Sequence, residues 1–142
     1  MSDLYDSDIL VWSEQQAALL RRLATGERIT HEVDWENVVE EIESVGRNDL
    51  HAVNSYLALT LLQMLKPRGW PNAPYVPHWQ GEARRFRGEA IDRCSPSLRQ
   101  RLDLAKIYRR ALQALPPTID GQPPLPLPHS CPVSLDELLR DE

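Results

Sequence analysis

The chain reads as an all-α protein, a helical bundle built on one long helix. Three observations carry this reading. Residues 34–66 run for thirty-three positions without a proline and hold one apolar stripe at helical spacing. No segment alternates apolar and polar residues as a half-buried strand does. Prolines gather in two stretches, 67–77 with four and 116–132 with seven, and these stretches punctuate the helical patterns.

The long helix is the strongest of the elements. At about 100° per residue, and with Ile42 at zero, ten residues fall within roughly 60° of one line. They are Trp35, Val38, Val39, Ile42, Val45, Val53, Tyr56, Leu57, Thr60 and Met64. A stripe of this kind predicts a face buried against partner helices. Asp34 offers an N-cap oxygen, and Glu36, Glu40, Glu41 and Glu43 place negative charge near the positive end of the macrodipole. Pro67 and Gly69 predict an end after Lys66, and Gly46–Asn48 is the place for a bend. Asp49 breaks the pattern. It projects roughly 20° from the stripe centre, where an ionised carboxylate needs a partner, so an arginine is expected to reach it. The candidates are Arg21, Arg22 or an arginine of the fourth helix.

The other elements follow in order. A first helix is expected over 7–24, with Ile9, Trp12, Gln16, Leu19, Leu20 and Leu23 inward and Thr25-Gly26 closing it. After the long helix, residues 67–77 predict an irregular connection that Trp70 and Tyr75 pin to the core. A third helix over 78–94 turns Trp79, Ala83, Phe86 and Ala90 inward. Ser95-Pro96 then starts a fourth over 96–114, with Leu98, Leu102, Ala105, Tyr108 and Leu112 inward. Residues 116–132 predict extended, polyproline-like chain. Ser134 and Glu137 form a capping box for a short helix over 134–140.

Length places residues 1–142 in a single domain. There is no run of eighteen apolar residues to span a membrane, and the acidic start MSDLYDSD is not a secretory signal. Cys94 and Cys131 do not make a disulfide framework, which points to a reduced, cytoplasmic setting. The net charge of −5 is unevenly spread: residues 1–50 carry −8, residues 51–115 carry +7 and residues 116–142 carry −4. Charges meeting within the fold account for such a split without an outside partner.

Familiar catalytic patterns are absent. The six glycines are scattered, so no phosphate loop exists, and none of the four histidines has a glutamate three residues before it, which excludes the Glu-x-x-His di-metal pattern. No catalytic, cofactor-binding or metal-binding set is therefore expected. Glu36, Glu40 and Glu43 with Arg47, His51 and Asn54 line the face opposite the stripe, where Glu43 and Arg47 have the favoured i,i+4 order. The polar residues singled out as candidates are Asp49, Glu40, Glu41, Glu43 and Arg47.

Several blocks resemble a known family. They are Tyr5-Asp6-x-Asp8, Trp12, Leu19-Leu20-Arg21, and Asp34-x-Glu36-Asn37-x-x-Glu40-Glu41-Ile42-Glu43-x-x-Gly46-Arg47, with Ser95-Pro96-Ser97-Leu98 and Cys131-Pro132-x-Ser134-Leu135 further on. Together they resemble the bacterial domain-of-unknown-function family twenty-nine over nearly the whole chain. The resemblance implies an all-α domain of this size and lends no activity. The sequence departs from the family's pattern at Gln63, where relatives often carry histidine, and at Pro67, where they often carry tryptophan.

Charge polarity, exposed proline-rich segments and the lack of a catalytic set point to a protein-binding or accessory role. One form is an antitoxin-like protein whose residues 1–50 neutralise a basic partner. The alternatives are a nucleic-acid-binding protein using the arginines of the middle segment, such as Arg84, Arg85, Arg87 and Arg93, or a hydrolytic enzyme using helix carboxylates. An enzyme is the lesser expectation.

Overall fold

The computed structural model describes residues 3–140 and is all-α. Its helices are α1 (Asp3–Ser7), α2 (Ile9–Ala24), α3 (Trp35–Gly69), α4 (Val76–Arg93), α5 (Pro96–Arg99), α6 (Leu104–Ala114) and α7 (Leu135–Leu139), with a 3₁₀ turn over Thr30–Glu32. No strand occurs among the described residues; the nearest thing is an isolated bridge between Ile119 and Gln122. Asp120 and Gly121 turn the chain there with φ of 52° and 78°, as a tight hairpin turn requires. Backbone contacts divide the chain into two compact units, residues 1–47 and 48–142, and α3 runs from one into the other.

In the N-terminal unit the expected helix over 7–24 forms as α2, and the sequence reading did not include the short α1 that precedes it. Asp8 caps α2 by accepting from the Val11 N–H at 3.1 Å, so α1 ends before it. The small apolar core joins Trp12, Val33 and Val38, with Leu4, Tyr5, Leu19, Leu20 and Leu23 packed around them. Ile9, expected inward, is 49% exposed.

The C-terminal unit holds the larger core. Val53, Leu57, Leu61 and Leu65 of α3 meet Ala90 of α4, Leu98 of α5, Ile107, Tyr108 and Ala111 of α6, and Leu138 of α7. Helix α3 passes through Pro67 instead of stopping at Lys66. Proline removes one intrahelical donor, but the end of the helix is fixed by other bonds. The Trp70 N–H donates to the Lys66 carbonyl at 2.8 Å, the Leu125 N–H to the Gly69 carbonyl at 2.9 Å, and the Trp70 indole to the Gln122 carbonyl at 2.8 Å. Trp70 is thus pinned as expected, while Tyr75 stays 41% exposed with its hydroxyl on Asp120.

The expected helix over 96–114 is broken. Asp103 accepts from the Lys106 N–H and restarts the chain as α6, which turns Ile107, Tyr108 and Ala111 inward and leaves Ala105 exposed. The capping box at Ser134 and Glu137 forms as read, and α7 buries Leu138.

Candidate functional site

Within the N-terminal unit, residues far apart in sequence converge on Asp34. The Trp12 indole N–H donates to Asp34 Oδ2 at 3.0 Å, and Asn37 Nδ2 donates to the same oxygen at 2.8 Å. The Asp34 backbone N–H in turn donates to Gln16 Oε1 at 2.8 Å. Beside this, the Tyr5 hydroxyl donates to Glu41 Oε1 at 2.5 Å, and the Tyr5 ring stands edge-on to Trp12 with centroids 4.8 Å apart. The Asn37 side-chain bond, with the Trp12 bond and the Asn37 backbone N–H behind it, holds the Asp34 carboxyl below its usual range. The bond to Glu41 pushes the Tyr5 hydroxyl up to about 12, with help from burial and neighbouring carboxylates. Both shifts move away from neutrality. The bonds tie α1, α2 and the start of α3 together as a polar lock.

The lock has a consequence for the stripe. Helix α3 meets its neighbours in this unit through Val38, Asn37 and Glu41, a side rotated away from Ile42. Val38 is buried, but Trp35, Val39, Ile42 and Val45 are 46%, 50%, 67% and 66% exposed. The expectation that the whole stripe is buried therefore fails over its first half and holds for Val53, Leu57 and Thr60 in its second. Trp35 is nonetheless fixed, because its indole N–H donates to the Thr30 carbonyl at 2.8 Å. Exposed Glu36 and Glu43 project roughly 100–120° from Ile42, so they lie nearer the edge of the stripe than to the opposite face on which the sequence was expected to put them.

The polar candidates separate. Glu41 belongs to the lock. Glu40 is exposed and pairs with Arg47, whose Nη2 donates to Glu40 Oε1 at 2.7 Å and to Ser44 Oγ at 3.0 Å. The expected Glu43–Arg47 pair does not form, since Arg47 reaches back two turns instead of one. Asp49 is exposed, not buried, and no arginine bonds to it. Arg93 of α4 lies near enough to feel its charge. Asp49 thus faces solvent, in place of the buried position expected for it. The buried polar residues on apolar faces are Gln16, at 9% exposure, and Thr60, each with a backbone partner.

Among the described residues, three of the nine arginines of residues 51–115 are ion-paired within the fold. Arg85 pairs with Glu82 at 2.7 Å, Arg93 with Glu89 at 2.5 Å, and Arg99 with Asp136. The Cys94 and Cys131 thiols are both pushed up by burial, which disfavours the reactive thiolate. Among the described residues no three His, Cys, Asp or Glu side chains gather as metal ligands, and no helix is long and apolar enough to cross a membrane.

No curated protein matches the chain. Its fold is similar to the crystal structure of an α-helical protein of unknown function from Rhodospirillum rubrum ATCC 11170. The two share 26% identity, the likeness covers 100% of this chain and 92% of that one, and the TM-score is 0.67. Tyr5, Trp12, Asp34, Asn37 and Glu41 of the lock and Ile42 of the exposed stripe are among the residues by which the sequence resembles its family. A family model matches residues 4–142, and the chain belongs to that family, described as domain of unknown function DUF29.

Proposed function

We propose that the protein is a helical binding module whose α3, over residues 35–45, docks a basic amphipathic helix of another protein. The observation that carries this is the bare stripe of Trp35, Val39, Ile42 and Val45 on a helix whose other side is locked in place. The stripe leaves roughly 400 Å² of apolar surface open, in the range of the largest patches on monomeric proteins. Trp35 is an anchor already held in position by Thr30, so docking does not have to order it.

Charge selects the partner. The N-terminal unit holds eleven acidic and four basic residues, a net −7, and Glu36 and Glu43 edge the stripe itself. A second copy would set these glutamates against each other, whereas lysines or arginines flanking an apolar helix face would meet them. An accessory or antitoxin-like protein that neutralises a basic partner would work in this way. Burying the patch and an equal area of the partner supplies about 20 kcal/mol at ~25 cal/mol per Å², against an association cost of about 4–15 kcal/mol, leaving a range that includes the roughly 8 kcal/mol of a micromolar complex.

The test is an anisotropy titration with two labelled amphipathic helices that share a leucine face and carry either lysine or glutamate flanks. Micromolar binding of the lysine peptide alone, abolished by Ile42→Asp, supports the reading. Equal binding of the two peptides, or none, overturns it. So does a dimer in sedimentation that Ile42→Asp dissolves, because the occupant would then be a second copy.

A further inference from the structure

The C-terminal unit carries a separate groove of about 530 Å³ between the end of α3 and α4, within the roughly 300–1,000 Å³ span of small-molecule sites. It is lined by Met64, Pro67 and Ala83, with buried Thr60, and by Arg84 and Arg87. No lining residue is acidic.

The arginines of α4 divide cleanly. Arg85 and Arg93 are each ion-paired with a glutamate of their own helix. Arg84 makes no ion pair among the described residues. Arg87 spends Nε on the Leu138 carbonyl at 2.8 Å and Nη2 on the carbonyls of Glu137 and Arg140, and takes no described carboxylate. Those bonds hold its guanidinium in place without neutralising it. Two like charges one turn apart on a helix repel each other, and here both border a mainly apolar groove.

We propose that this groove binds a monocarboxylate with an apolar body. A guanidinium fork matches the two carboxylate oxygens, and Arg84 has its donors open for that contact. The amides of Gln63 and Gln80, which also line the groove, add N–H donors beside it. Met64, Pro67 and Ala83 give the hydrocarbon part an apolar surface to cover. A bare anion would leave that surface wet, and an alkylammonium would meet two cations.

Octanoate, octylamine and inorganic phosphate are the probes, titrated into ¹⁵N-labelled full-length protein. Octanoate is expected to saturate, with amide shifts confined to residues 60–67 and 80–87. Arg84→Gln is expected to weaken it at least tenfold, and Arg85→Gln, which removes the Glu82 pair and the contact over the Phe86 ring, to leave it unchanged. Arg84 is exposed, and equal melting temperatures for Arg84→Gln and wild type confirm that the variant is folded. The proposal is overturned by an absence of saturation below the solubility limit, by equal binding of octylamine or phosphate, by unaltered affinity in Arg84→Gln, or by shifts centred on residues 35–45. The last result would place the ligand on the α3 stripe, so failure here and failure of the docking reading are separately visible.

Discussion

Replacing Asp34 by alanine removes three contacts at once: the acceptor of the Trp12 indole, the acceptor of the Asn37 side chain, and the N-terminal cap of α3. A cap is worth about 1 kcal/mol, and bonds to a charged group about 1.5–3 kcal/mol each when buried. Asp34 is half-buried, so those bonds are discounted and the sum is about 2–3 kcal/mol. For a chain of this size that lowers Tm by roughly 6–12 °C. Circular-dichroism melts measure the loss, and the Trp12 indole proton resonance shows whether it begins in the N-terminal unit. The effect also has a pH signature. The folded state holds the Asp34 carboxyl below its usual range, so its contribution is present above the ordinary carboxylate pKa of about 4 and is lost as pH falls through the depressed value. Asp34→Asn should therefore cost most near neutrality and progressively less below about pH 4. A loss under about 0.5 kcal/mol for Asp34→Ala, or an Asp34→Asn penalty that does not shrink on acidification, would refute the lock.

Two further outcomes follow from the packing. A Cβ on Gly69 would stand 3.0 Å from the Pro124 Cβ, in a segment tied down by the Leu125–Gly69 backbone bond and the Trp70–Gln122 bond. Gly69→Ala is therefore expected to cost about 1 kcal/mol net in denaturant melts, despite alanine's better helix propensity. In double-mutant cycles Arg47 should couple to Glu40 by about 0.2–1 kcal/mol and to Glu43 by nothing measurable, with the first coupling fading in high salt. Coupling to Glu43 instead of Glu40 would show that Arg47 takes the one-turn partner in solution.

The helices were legible because each carries its own period and punctuation. The stripe of α3, Ser95-Pro96 and the capping box at Ser134 are local signals, and they place the elements to within a few residues. The break at Asp103 was open to the same logic, since aspartate is as good a cap inside a long pattern as at its start. Pro67 was less readable, because the bonds that hold α3 beyond it come from residues 122 and 125, far along the chain. The lock illustrates the same limit. Trp12 and Gln16 read as inward and Asp34 as a cap, but nothing local says that they meet. Asp49 and Gln16 were alike as polar residues on apolar faces, and only the neighbours' placement decides that Gln16 is buried while Asp49 is solvated. Periodicity likewise shows which side of α3 is apolar and is silent on whether a partner covers it. The exposure of Trp35, Val39, Ile42 and Val45 is that missing information.

The binding titration on the bare stripe tests the central claim most directly. Wild-type protein and Ile42→Asp are each titrated with the lysine-flanked amphipathic helix. The account predicts micromolar binding to wild type, weakened at high ionic strength and lost in Ile42→Asp, whose exposed position lets the substitution leave the fold intact. Undiminished binding to Ile42→Asp would contradict it.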